Sequence, residues 1–303
     1  MTIRCNKRKC SNPAIMHQRY SGLHLCEAHF IEDVERKVKK EMRQQSMVER
    51  GDKIAVALSG GKDSSALLYM LTKIFQNRTD LEFVAIAVDE GIRGYRAMTL
   101  STAEKVANEL GVDFFCFSFE REFGFTLDDI VSRNFEQAPC TFCGILRRRI
   151  VDRTAKELGV TKVATAHNLD DEVQTILINY IRGDIERLGR LHGRREEFVP
   201  RIKPLRGVPE KEVAIYAFLA GIPLPTVFCP YASRSFRFTV KKMLNEFERK
   251  HPGTKYSVMR GYERLSAFLP KAEPERKLVQ CERCGEASAS RICKVCEIRE
   301  MMK

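Results

Sequence analysis

The sequence predicts an α/β fold, with a mainly parallel sheet covered by helices on both faces and a small zinc-binding module at each end. Two observations carry this reading. Apolar runs of strand length alternate with helical stretches through the middle of the chain, and most of the 11 cysteines fall in short pairs near the two ends. A chain of 303 residues accommodates one central domain with appendages. The expected divisions are 1–47, 48–270 and 271–303.

The N-terminal set is Cys5-x4-Cys10 followed by Cys26-x2-His29. With no export signal, such cysteines read as metal ligands rather than disulfides, and three cysteines with one histidine suit Zn2+. His17 and His24 are alternative ligands. A charged helical stretch from Ile31 leads to the central region.

There, Lys53 to Leu58 reads as a buried strand running into SGGKDSS (Ser59 to Ser65) and a helix from Ala66 to Ile74. Glycine backbone, serine hydroxyls and a helix N-terminus at one turn predict an anion site. The turn is neither a GxxxxGK[ST] nor a GxGxxG loop.

A second strand is expected over Phe83 to Val88, a helix around Thr99 to Leu110 closed by Gly111, and a third strand over Asp113 to Phe119. Cys116, alternating within that strand, reads as a core residue. The stretch PCTFCG (Pro139 to Gly144) precedes a helix to Leu158 that carries Arg147, Arg148 and Arg149. Thiols beside a helix N-terminus and arginines are expected to ionise easily.

A short strand, Lys162 to Ala166, leads to HNLDDE (His167 to Glu172), which opens a helix reaching Ile181. Its carboxylates should reach the same sheet edge as the glycine-rich turn. Asp170 reads as a helix cap. A basic irregular stretch follows, then a helix from Pro209 to Gly221, and Pro270 to Pro274 is the best candidate linker. Cys229 lies too far beyond Cys143 for spacing to pair them. On spacing alone, a redox dithiol, a zinc pair and an inert pair at Cys140 and Cys143 all rank above a three-cysteine site.

At the C-terminal end, Cys281-x2-Cys284 and Cys293-x2-Cys296 form two tight pairs that suit a closed four-thiolate Zn2+ site. Lys+Arg of 52 against Asp+Glu of 40 gives a net charge of +12. Metal-bound thiolates reduce this but leave the chain basic, which fits a polyanionic partner and a plain solvated surface equally. No apolar run is long enough to span a bilayer, so no membrane partner is expected and the expected location is the cytoplasm.

The ordered set SGGKDSS, PCTFCG, AHNLDDE and the late FCP (Phe228 to Pro230) resembles the tRNA 2-thiouridine synthetases of the pyrophosphate-loop family, over nearly the whole chain. The resemblance implies a Rossmann-like sheet of the adenine nucleotide alpha hydrolase type. It implies ATP contacts from Ala57, Leu58, Ser59, Gly60, Gly61, Lys62, Asp63, Ser64, Val88, Arg147, Ala166 and Asp171, with Asp63 also helping to hold Mg2+. It further implies a 4Fe-4S cluster on Cys140, Cys143 and Cys229.

In the implied reaction the uridine C2 oxygen is adenylated and then replaced by sulfur. Cys140, Cys143, Arg147 and Asp171 would be the catalytic set. Asp171 would handle a proton or orient a reactant; Arg147, lysine in some relatives, would stabilise charge because a guanidinium is a poor proton donor. The implied partners are tRNA, a second copy of the chain, and a sulfur donor, either free sulfide or a ubiquitin-like thiocarboxylated protein. Arg187 to Lys211 and the zinc modules are the candidate tRNA surfaces. Three other readings compete. A persulfide or disulfide at Cys140 and Cys143 could act without a cluster. Another pyrophosphate-loop enzyme would leave the cysteine trio idle, and a non-catalytic zinc-stapled RNA-binding protein would leave SGGKDS unexplained.

Overall fold

The computed structural model describes residues 3–189, 198–269 and 278–303. The chain opens with an antiparallel hairpin, β1 (Met16–Gln18) and β2 (Leu23–Leu25), and helix α1 (Glu27–Gln44). Phe30, Val34, Val38 and Met42 recur every four residues on α1 and are buried, so one stripe of the helix joins the core.

The central region then alternates as expected: β3 (Lys53–Ala57), α2 (Lys62–Ile74), β4 (Glu82–Asp89), α3 (Arg96–Glu109) and β5 (Asp113–Ser118). Two short helices, α4 (Phe119–Phe123) and α5 (Leu127–Ser132), precede α6 (Pro139–Glu157). Next come β6 (Lys162–Ala164), α7 (Leu169–Ile181), α8 (Ile185–Gly189), β7 (Arg201–Ile202) and α9 (Glu210–Leu219). Helices α10 (Phe236–Lys250) and α11 (Thr254–Ser266) pack on α7. A second hairpin, β8 (Val279–Gln280) and β9 (Ala287–Ser288), and helix α12 (Lys294–Met301) end the chain.

The central sheet is parallel throughout, in the order β5-β4-β3-β6-β7. Both faces are covered, which explains the near-continuous apolar strands. Ile54, Val56 and Leu58 face α1, α2 and α9, whereas Ala55, Val84, Ile86 and Val88 face α6. The strand order reverses beside β3, between β4 and β6. At such a switch point the loops leaving the carboxyl ends part and open a crevice.

The metal-ligand modules are part of these two layers. Cys5 and Cys26 lie in the first core cluster, and Cys281, Cys293 and Cys296 in the second. A buried polar network also fixes α1 to α9: Lys37 bridges Asp33 and Glu212, each at 2.7 Å, and Tyr20 donates to Glu212 at 2.6 Å.

Several expected boundaries shift. Helix α6 begins at Pro139, so Cys140 and Cys143 lie inside it rather than before it; proline at the first position matches helical φ and lacks an amide that would go unbonded. Cys116 is exposed, not buried, because β5 is the edge strand of the sheet. Asp170 does not cap α7. Asn168 caps it, in a capping box with Asp171, while Asp170 is buried and paired with Lys255 of α11. The linker at Pro270 to Pro274 lies outside the described residues, as does part of Arg187 to Lys211.

Candidate functional site

The SGGKDSS turn leaves β3 and opens α2. Gly60 has φ +77°, and a Cβ there would lie 1.7 Å from the Thr99 carbonyl oxygen, so the loop and α3 approach at a distance only glycine permits. The Ser59 and Ser64 hydroxyls lie 3.0 Å apart, and Ser64 Oγ accepts from the Ser59 amide at 3.1 Å. These contacts shape the loop. Gly61 at the N-cap offers no side chain, which leaves first-turn amides of α2 open to an anion.

Acidic and basic groups surround this turn. Lys62 Nζ meets Asp63 at 2.7 Å and Glu210 at 2.9 Å, and Lys241 reaches Glu210 at 2.7 Å. Asn168 donates to Asp63 at 3.4 Å, which links the ends of β3 and β6. Burial keeps the Asp63 carboxyl above its ordinary value despite the pull of Lys62. Burial likewise pushes Asp171 up to about 6, with Asp63 and Glu210 adding repulsion. His167 is exposed at the end of β6, with Nδ1 2.9 Å from Thr165 Oγ1. Desolvation by the surrounding protein, and then Lys203, drive its pKa down to about 4, so the ring is neutral near pH 7.

On the other side of the turn stands Arg96. Its guanidinium donates to the Ser59 carbonyl at 2.7 Å, to Thr99 Oγ1 at 2.9 Å and to the Val88 carbonyl. Its Nε lies 2.6 Å from Glu90, whose other carboxylate oxygen is 3.4 Å from Arg147. Glu90 also influences Cys143 and Cys229 electrostatically. A chain of charge thus runs from the glycine-rich turn to the central cysteines.

Cys140 is exposed, and Cys143 and Cys229 are partly buried. Cys143 feels the charge of both other cysteines and Cys229 that of Cys140, so the fold gathers three thiols that the sequence scatters. The expectation of easily ionised thiols fails for Cys143. Burial pushes it up to about 12 against the pull of Arg147, with Glu90 and the other cysteines adding to the rise. Burial also raises Cys229. Among the described residues, only the two end sets bring three or more candidate ligand atoms within 4.8 Å of one another. The central three are therefore too widely set for a single ion, a donor set that fits a cluster with one thiolate per iron.

The end sets fit single ions. A zinc tetrahedron with Zn–S bonds of about 2.3 Å has S–S edges of about 3.8 Å; Cys281 to Cys296 measures 3.8 Å and Cys284 to Cys293 measures 3.6 Å. The Cys293 amide donates to Cys281 Sγ at 3.2 Å and holds that thiol down at about 6. At the N-terminal end Cys5, Cys10, Cys26 and His29 converge, with His29 Nδ1 3.2 Å from Cys26 Sγ and 3.4 Å from Cys5 Sγ. His17 and His24 instead stack on each other across the hairpin at 4.1 Å.

Sequence reasoning missed Glu90, Arg96, Glu210 and Lys241. Glu90 had a signal: it is the acid immediately after β4, at the edge of the sheet where ligands gather.

The structure meets known proteins at this point. A PP-loop domain model matches residues 31–224, and the model of the 2-thiouridine synthetase TtuA N-terminal LIM domain matches residues 8–31. The chain is 39% identical to a tRNA 2-thiolation protein, NcsA, of Haloferax volcanii over 97% of its own length and 98% of that protein. It is 38% identical to a probable sulfurtransferase of Methanocaldococcus jannaschii, covering 95% of this chain and 85% of the relative. Among solved structures it resembles the U34-tRNA thiolase NcsA from Methanococcus maripaludis with its [4Fe-4S] cluster. The TM-score is 0.85 and the identity 38%, over 99% of this chain and 97% of that one. Glycine-rich turn, gathered cysteines, family models and full-length relatives agree: the chain belongs to the PP-loop family, in its tRNA 2-thiolation branch.

Proposed function

We propose that this chain is an ATP-dependent tRNA-uridine 2-sulfurtransferase that releases pyrophosphate and AMP. The observation that carries the reading is that Arg96, Glu90 and Arg147 join the nucleotide turn to the three cysteines. The Ser59 to Ser64 turn and the amides of α2 hold the phosphates of ATP. Asp63, with Asp171 and Glu210 nearby, provides carboxylates for Mg2+.

The uridine C2 oxygen attacks the α-phosphate and pyrophosphate leaves, which makes the C2 oxygen part of a phosphate leaving group. A sulfur nucleophile then adds at C2 and expels AMP, which leaves 2-thiouridine. Arg147 stabilises the phosphate charge that develops in both steps. Asp171, lifted to about 6, is suited to accept or return a proton near neutral pH.

Cys140, Cys143 and Cys229 would hold a 4Fe-4S cluster, which when bound supplies an iron without a protein ligand to carry sulfide. The two end sets would hold one Zn2+ each. The donor is free sulfide or a ubiquitin-like thiocarboxylated protein. U34, the position named for the solved relative, is the target we assign. We read the working form as a cytoplasmic homodimer, for which the exposed Tyr180, Ile181 and Phe236 offer an apolar face. Residues 1–47, 48–270 and 271–303 are the divisions we retain.

Anaerobic purification with iron and sulfide quantitation tests the reading on wild type and Cys229→Ala. The expected result is that Cys229→Ala loses chromophore and tRNA thiolation together but keeps ATP binding. Iron-free wild-type protein that still thiolates tRNA would overturn the cluster in favour of disulfide chemistry.

A further inference from the structure

A cleft of about 1000 Å³ runs between α6, α7, β7 and the C-terminal module. Its charged lining is almost entirely basic. Arg148, Arg149, Arg201, Lys203 and Lys294 face it, and Asp152 is its one acid among the described residues. Four of these cations already have carboxylate partners: Arg149 pairs with Glu286 at 3.0 Å, Arg201 with Asp152 at 2.8 Å, Lys203 with Glu172 at 2.7 Å and Lys294 with Glu297 at 2.7 Å.

Arg148 differs. Among the described residues it has no ion pair and no hydrogen bond, and its nearest charged neighbours include Arg147 and Arg201. Its guanidinium folds back along α6, so that a Cβ on Gly144 would lie 3.5 Å from one of its terminal nitrogens. That places the free cation, which is exposed, directly beside the cysteine site and on the wall of the cleft. Five N–H donors in a planar fork, flanked by Arg147 and Arg201, with Asp152 near but not hydrogen-bonded to them, form a half-built oxyanion site.

We propose that this cleft binds the backbone of the RNA substrate, with a phosphodiester next to the target nucleotide seated on Arg148. The inference rests on the tRNA 2-thiolation reading and deepens it. The cleft is too large for one phosphate, and Ile145 and Arg148, within two turns of Cys143 on α6, line it. Thr175 lines it, and the Arg237 that bonds Thr175 at 2.9 Å also donates to the Asp171 carbonyl at 3.1 Å. A polyanion lying in the cleft therefore passes beside the α6 turn that follows Cys143 and beside Thr175, one helical turn after Asp171. Its phosphates replace the missing partner of Arg148, and the C-terminal module, through Lys294, becomes a wall of the substrate groove.

The test measures tRNA affinity against salt concentration for wild type, Arg148→Ala and Arg148→Lys, on anaerobically prepared protein. Arg148→Ala should weaken tRNA binding about 10-fold or more at low salt, and its log K against log salt should lose roughly one phosphate contact of slope. Iron content and the nucleotide-induced rise in melting temperature should stay at wild-type values, which separates a lost contact from a damaged fold. Arg148→Lys should keep the slope while losing part of the affinity. Wild-type affinity and slope in Arg148→Ala would overturn the proposal. So would inorganic phosphate that binds through Arg148 without competing with tRNA, or an Arg148→Ala defect confined to a thiocarboxylated protein donor. If wild type itself neither binds nor thiolates tRNA, the functional reading fails instead.

Discussion

Arg96 Nε and the Glu90 carboxylate lie 2.6 Å apart, both almost fully buried, between the nucleotide turn and the central cysteines. Arg96 also donates to Ser59 and Val88 carbonyls, on the ends of two neighbouring strands. Glu90 turns its second oxygen to Arg147 on α6. The pair holds in register three elements that each carry a different part of the chemistry.

Replacing Glu90 with glutamine keeps the shape but removes the charge that orients Arg147. Glu90→Gln should lower kcat for tRNA thiolation by about 10- to 100-fold, the usual cost of losing an outer orienting partner. The KM for ATP and the iron content should change little. Steady-state kinetics against ATP check this, and an unchanged kcat would remove Glu90 from the positioning of Arg147.

The two glycines of the turn should differ sharply. Gly60→Ala forces a Cβ against the Thr99 backbone at a positive φ, so the loop must move, and a shift of about 1 Å costs on the order of 100-fold in turnover. Gly61 has an ordinary φ of −79°, and a Cβ added there would meet only Ser59 Oγ at 3.5 Å. Gly61→Ala should therefore keep most nucleotide binding. Thermal shift with ATP on both variants decides whether the close approach at Gly60 matters.

Asp171 should leave a signature in the pH profile. Its carboxyl rises from 3.8 to about 6 in the fold, so it is neutral below that pH and charged above it. If it accepts a proton, kcat/KM for tRNA rises through about pH 6 and then levels. The stability contribution has the opposite sense: it is fully present below pH 3.8 and lost as pH climbs through about 6. Asp171→Asn retains an acceptor for the helix cap but should abolish the acidic limb. The same limb in that variant would assign it to another group.

Asp170 and Lys255 form a buried pair between α7 and α11. Lys255→Met leaves a buried carboxylate without its cation, and urea unfolding should show a loss of about 3–5 kcal/mol. Adding Asp170→Asn should recover most of it. If the single change costs nothing, the pair contributes nothing to the fold.

What was legible in the sequence was local. The turn at Ser59 to Ser64, the strands beside it and the Cys-x2-Cys pairs carry their geometry within a few residues, so spacing alone placed them. Cys229 could not be placed that way, because its approach to Cys143 depends on how α6 and the segment after α9 pack. The ionisation of Cys143 was misjudged for the same reason. The helix N-terminus and arginines are visible in sequence, whereas the burial that overrules them is not. Cys116 needed the strand order, and Asp170 needed a lysine from the far side of the next three helices.

The burial of Cys5 and Cys26 in one apolar cluster with Ile54, Leu67 and Tyr216 changes what the first zinc would be for. A finger tethered by a loose hinge could lose its ion and leave a working enzyme behind. Here two of the ligands belong to the same apolar cluster as the sheet, so releasing a metal would loosen the interior. With zinc at this end, metal supply would govern how long the polypeptide survives, because a chain stripped there would be ready prey for a protease, and its chemistry would disappear with it.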